Sequence, residues 1–140
     1  MAEFKTYSFK NVNVIFGVEE VQGFADGDDA VKIESNSDAF QLLVGAKGDS
    51  TRSQSNDDSV TVTIKLLQTS SSAVVLQNLF VADRETGVGA LPMIITDKET
   101  NESYTIPFAW INKQPVITRG QNQNSWEFIF SGNRLIPVVT

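Results

Sequence analysis

The sequence predicts an all-β fold with one flanking α-helix, and three observations lead there. Most of the 140 residues alternate apolar and polar at period two, the mark of strands with one buried face. Glycine, asparagine, aspartate and serine punctuate these runs at short spacing, as turns between strands do. A single segment, residues 72–85, instead repeats its apolar residues at helical spacing.

The first run, TYSFKNVNVIF, changes phase, with Tyr7 and Phe9 on one parity and Val12, Val14 and Phe16 on the other. A β-bulge near Lys10 and Asn11 would reconcile them. Further strands are expected at 19–24, 30–34 and 40–44. Residues 45–59, GAKGDSTRSQSNDDS, hold two glycines and almost nothing apolar. They form the longest expected loop, reading equally as a flexible hairpin tip and as a functional excursion between two neighbouring strands. The most secure strand follows: Val60, Val62, Ile64 and Leu66 alternate with Thr61, Thr63 and Lys65. The serine run 70–72 offers an N-cap to a helix whose apolar face is Val75, Leu76, Leu79 and Phe80, and Gly87 suits its C-terminal stop. Val74 and Val75 weaken the local helical propensity, so packing must hold this helix in place. Strands are then expected at 91–96, 104–111, 116–119 and 135–139. Between the last two, Trp126, Phe128 and Phe130 alternate with Glu127, Ile129 and Ser131 to give a strand with one aromatic face.

Composition removes much chemistry. There is no cysteine and no histidine, so disulfides, thiol nucleophiles, imidazole triads and Cys/His zinc sites are excluded. A net charge of −6 is the wrong sign for gripping phosphates, though compatible with a surface that DNA slides past. MAEFKTYSF lacks the cationic start and apolar stretch of a leader, and no apolar run approaches the ~20 residues that span a bilayer. The expectation is a soluble protein made in the cytoplasm, with one domain over 1–140.

Asp26, Asp28 and Asp29 in GFADGDDAVKIE invite a calcium reading. An EF-hand beginning at Asp26 would put Ala30, Val31 and Ser37 where an oxygen ligand, a glycine and a bidentate glutamate are needed. The cluster therefore reads as a solvated turn entering a strand. Neither these aspartates nor Asp57 and Asp58 have the apolar surroundings that a catalytic acid needs. Gly87 and Gly89 follow a helix and precede a strand, the reverse of a dinucleotide fingerprint. Trp110 and Trp126 read as core or interface aromatics, or as the sugar-stacking platform of a small carbohydrate-binding β-sandwich. The sequence does not separate these two.

The ordered pattern TYSFKNVNVIFGVEEVQGFADGDDAVKIESNSDAF, then RSQSNDDSVTVTIKLLQTSSS, then FAWINKQP resembles the tail tube proteins of contractile-tailed bacteriophages. The most specific pieces are the N-terminal strand and glycine turn leading into GFADGD, the polar loop ending in RSQSND, and the passage LLQTSSS. The resemblance covers nearly the whole chain. It implies a small β-barrel or sandwich with one helix, six copies in a ring, and rings stacked into a hollow virion tube that conducts DNA during ejection. It also implies sheath, tape-measure and baseplate partners, assembly in the host cytoplasm, no cofactor and no enzymatic activity.

Within that frame each surface has an expected role. Thr61, Thr63 and Lys65 face an aqueous lumen, with the core behind them. Lys47, Asp49, Arg52, Asp57 and Asp58 of the polar loop reach a neighbouring ring through complementary charges, and the loop is mobile in the free subunit. Asp26, Asp28 and Asp29 lie at a ring edge or the lumen mouth. Asp83 and Glu85 on the helix face the sheath.

Overall fold

The computed structural model describes residues 6–121 and 124–139. Among the described residues, ten strands and one α-helix follow in chain order: β1 (Val12–Phe16), β2 (Glu19–Glu20), β3 (Val31–Ser35), β4 (Phe40–Val44), β5 (Ser50–Gln54), β6 (Val60–Leu67), α1 (Ser71–Thr86), β7 (Leu91–Asp97), β8 (Glu102–Ile111), β9 (Ser125–Gly132) and β10 (Ile136–Val139). The main sheet runs β2-β1-β7-β8-β9-β6-β3, with β10 added on β8, and β4 and β5 make a separate two-stranded sheet.

The main sheet forks and folds over at β8. Met93 of β7 lies opposite Ile106, but Leu91 lies opposite Ala109. Three residues of β8 therefore span two of β7, which is a bulge at Pro107 and Phe108. Asn133 serves it: the Phe108 N–H donates to Asn133 Oδ1 at 3.2 Å and the Asn133 N–H to the Phe108 carbonyl at 3.1 Å. Beyond the bulge β8 pairs with β9, and before it with β10. The consequence is visible in Phe16 and Phe130, whose rings meet edge to face at 5.0 Å. They belong to strands three places apart in the sheet order, which a flat sheet would separate by about 14 Å. The sheet must be coiled on itself.

The core fills the resulting space. Val60, Val62, Ile64 and Leu66 of β6 are buried, as are Trp126, Phe128 and Phe130 of β9 and Val14, Phe16, Met93 and Ile95 of the opposite layer. Both alternations read in the sequence therefore stand, and β6 and β9 are paired along their length. Helix α1 lies against the sandwich through Ser72, Ala73 and Leu76, with Leu79 and Phe80 partly covered. Gly87 ends it at φ 71°, a left-handed conformation that glycine adopts without a Cβ penalty. Ser70 holds the N-cap position, yet its hydroxyl donates to the Gln22 carbonyl at 2.5 Å instead of capping the helix. The serine run thus ties the helix to the 19–24 segment.

Several expected elements differ. The phase change near Lys10 is a 3-10 turn over Phe9–Asn11, not a bulge, so strand pairing starts at Val12. The 19–24 strand shrinks to Glu19–Glu20 plus a lone bridge from Phe24 to Leu66. Gly23 breaks it at φ 76°, where any Cβ would meet the Ser70 side chain at 2.6 Å. Residues 116–119 are irregular, because both edges of β9 beside them are already taken by β8 and β6. Residues 45–59 are not one loop: Ser50–Gln54 pair with Phe40–Val44. Nor does this segment join two neighbouring strands, since β4 pairs with β5 and β6 with β3 and β9.

Candidate assembly surfaces

The β4–β5 hairpin stands apart from the body, with every residue of both strands exposed. Phe40, Leu42 and Val44 share one of its faces with Gln54, Arg52 and Ser50, their partners across the ladder. The Arg52 guanidinium lies 4.0 Å over the Phe40 ring, a cation–π contact that shields part of the stripe. Leu42 and Leu43 each remain 71% exposed. Lys47 lies in the turn, which closes through the Gly45 N–H donating to the Asp49 carbonyl at 2.7 Å. Sequence reasoning missed the strand because Ser50–Gln54 has no apolar alternation; its partner supplies all the hydrophobic residues.

The base of the hairpin is clamped to β6. Asp57 accepts from the Ser37 hydroxyl at 2.5 Å, the Ser59 hydroxyl at 2.6 Å and the Ser59 N–H at 3.0 Å. These donors hold its carboxyl at about 2, Ser37 contributing most, because each favours the ionised form. Asn36 adds a second tie, donating to Ser59 Oγ at 2.9 Å and accepting from the Thr61 hydroxyl at 2.6 Å. Of the five residues expected to touch a neighbouring copy, Lys47, Asp49 and Arg52 project with the hairpin. Asp57 belongs to its hinge, and Asp58 is exposed beside it.

Thr61, Thr63 and Lys65 share the outer face of the β3-β6-β9 layer. Register sets Lys32 beside Thr63, Glu34 beside Thr61, and Ser131, Ile129 and Glu127 on the other side. The charges here are mostly paired: Lys32 lies 3.6 Å from Glu34, and Lys65 lies 2.9 Å from Asp29. The Lys65 ammonium lowers the Asp29 carboxyl below its usual range, and Asp29 in turn raises Lys65. Asp26, Asp28 and Asp29 are all exposed in the turn before β3. That turn is strapped to the end of β6, the Ala25 N–H donating to the Lys65 carbonyl and the Lys65 N–H to that of Ala30, each at 2.9 Å. The three acids therefore flank one end of the Thr61 face.

An open cleft of about 490 Å³ separates the two layers where they part. Its walls include Phe9, Val31, Ile33, Ile95 and Leu135. Asp28, Asp97 and Glu102 also line it, and among the described residues no lysine or arginine does. Tyr104 closes one side, its hydroxyl donating to Glu102 Oε2 at 3.1 Å; burial, and next the Glu102 carboxylate, raises its pKa.

The helix residues divide. Glu85 is exposed, whereas Asp83 is half-buried and accepts from the Gly89 N–H at 2.8 Å. Asp83 fixes the turn after the helix. The two tryptophans divide too: Trp126 is a core residue at 9% exposure, while Trp110 is 36% exposed on the outer face opposite Ser131. Trp126 cannot stack on a sugar. Among the described residues no acidic group could hold a metal ion, and no helix is long and apolar enough to cross a membrane.

The family model described as bacteriophage PhiTE tail tube protein matches residues 4–135. The chain belongs to this tail tube family. It is therefore a structural phage tail protein and not an enzyme, and the carbohydrate-binding reading lapses. No curated protein sequence matches it. Solved structures share the tail-tube-type fold at low identity. The anti-feeding prophage tube-terminating cap aligns with a TM-score of 0.70 at 11% identity, covering 100% of this chain and 95% of that one. The sheath/tube terminator of the PVC extracellular contractile injection system aligns at 0.67 and 11%, covering 99% and 100%. A chain of the PVC sheath-tube complex aligns at 0.63 and 12%, covering 96% and 93%.

Proposed function

We propose that this tail tube family member is the repeating subunit of the tube, forming hexameric rings that stack into a hollow conduit for DNA ejection. The observation that carries this reading is the hairpin. A five-residue strand with four apolar residues, exposed along its whole length, is an aggregation liability unless another copy covers it. The free edges of β3 and β10 add strand-pairing sites where neighbouring copies can close a continuous barrel.

The Thr61, Thr63 and Lys65 face lines the lumen. Hydroxyls and paired charges give passing phosphates no uncompensated cation to bind, so DNA moves without sticking. Asp26, Asp28 and Asp29 sit at the lumen mouth, where they repel the backbone. Lys47, Asp49 and Arg52 make the contacts between rings, with Asp57 and Asp58 at their hinge. The hairpin is mobile in a free subunit and ordered in the tube. Glu85 faces a sheath, and Asp83 supports the turn beside it. A tape-measure protein fills the lumen before ejection, a baseplate templates the first ring, and assembly takes place in the host cytoplasm.

Electron microscopy of the purified protein tests the reading. Long tubes are expected. A persistent monomer would overturn it, and single rings that never stack would favour a terminator, the role named for two of the similar structures. Deleting residues 47–56 should leave a soluble, folded subunit that fails to polymerise, whereas tubes of normal length would sink the stacking role. Reversing the charge at Glu85 should weaken sheath assembly around an intact tube.

A further inference from the structure

Among the described residues, the hairpin and the cleft are two apolar surfaces left uncovered. We propose that Phe40, Leu42 and Val44 of one copy dock in the cleft beside β3 of another copy, with Lys47 and Arg52 meeting the cleft's acids. The inference rests on the tube reading and gives the hairpin its receptor.

Three observations carry it. The first is polarity: the hairpin offers an apolar stripe that, among the described residues, only Arg52 shields in part, and the cleft offers apolar walls from Val31, Ile33, Ile95 and Leu135. Its volume of about 490 Å³ lies within the roughly 300–1,000 Å³ of well-formed binding sites. The second is charge. The hairpin carries Lys47 and Arg52 against the single acid Asp49, while the cleft presents Asp28, Asp97 and Glu102 and, among the described residues, no base. Opposite charges across such a contact set its register and suppress wrong partners.

The third is direction. Only four residues separate the end of β3 at Ser35 from the start of the hairpin at Phe40. The Asp57–Ser37–Ser59 and Asn36–Ser59 bonds fix its base so that both strands stand in solvent rather than fold back on β3. Five-residue strands reach about 17 Å beyond that base, far enough to enter an adjacent copy. A second subunit is thus the occupant that the geometry favours over the chain's own hairpin.

The absence of native cysteine makes the test clean. Leu42→Cys subunits are mixed with Asp28→Cys subunits under mild oxidation, and assembly is followed by microscopy in parallel. The mixed disulfide should form ~100-fold faster than one between Leu42→Cys and the exposed control Val88→Cys, as expected when docking raises effective concentration. Tubes that form without this preference would overturn the docking and leave the tube reading standing. Preferential linking with no rings or tubes would support the docking and overturn the tube. Linking within single chains of a Leu42→Cys/Asp28→Cys double variant at high dilution would overturn docking between copies. Neither linking nor assembly would overturn both.

Discussion

Val60, Val62, Ile64 and Leu66 of β6 are shut away from water, while Phe40, Leu42, Leu43 and Val44 of β4, equally apolar, stand in it. Both strands lie in antiparallel ladders, β6 between β3 and β9 and β4 against β5. What differs is the layer behind. β6 has the β1-β7 layer and the helix beneath it, whereas among the described residues the hairpin has no layer behind it. Strand propensity and apolar content therefore do not decide burial; a second layer does. A hairpin alone is marginal in water, and the proposed assembly would give this one the layer it lacks.

That contrast can be broken at several points. Phe128→Ala in β9 should cost the subunit about 3–5 kcal/mol, measured by denaturant unfolding, because a fully buried ring is lost and a cavity remains. Gly132→Ala should cost about 1–3 kcal/mol by overpacking, since an added Cβ would meet Ile106 Cγ2 at 2.5 Å and Val60 Cγ2 at 3.1 Å. Leu42→Ser should leave subunit stability within about 0.5 kcal/mol, as exposed substitutions do, while tube formation by light scattering falls steeply. A large loss of subunit stability there would mean that the hairpin packs on its own body.

The smallest effect is at the hinge. Asp57→Asn should leave the melting temperature of the body nearly unchanged and speed hydrogen exchange across Phe40–Val44 and Ser50–Gln54. Asp57 has its carboxyl lowered from 3.8 to about 2, so its contribution is fully present above the unfolded value and is lost as pH falls through about 2. Hairpin exchange in the wild-type chain should therefore accelerate over that acid window, and the Asn variant should show no such step.

The sequence by itself determined the all-β class, the buried rows of β6 and β9, and the helix with its Gly87 stop, because each depends on a local period or a local cap. It also marked Asp26, Asp28 and Asp29 as a turn, and their exposure beside β3 agrees. It did not show β5, since Ser50–Gln54 takes its pairing from Phe40–Val44 and carries no apolar signal of its own. Nor could it separate Trp126 from Trp110: both lie in apolar runs, and only the fold-over at the β8 bulge puts one against the core and the other outside. The split of Asp83 from Glu85 likewise waits on Gly89 returning to the end of the helix. Periodicity is written along the chain, but the layer that a face meets, and the apolar strand left without one, are set by contacts between residues far apart in it.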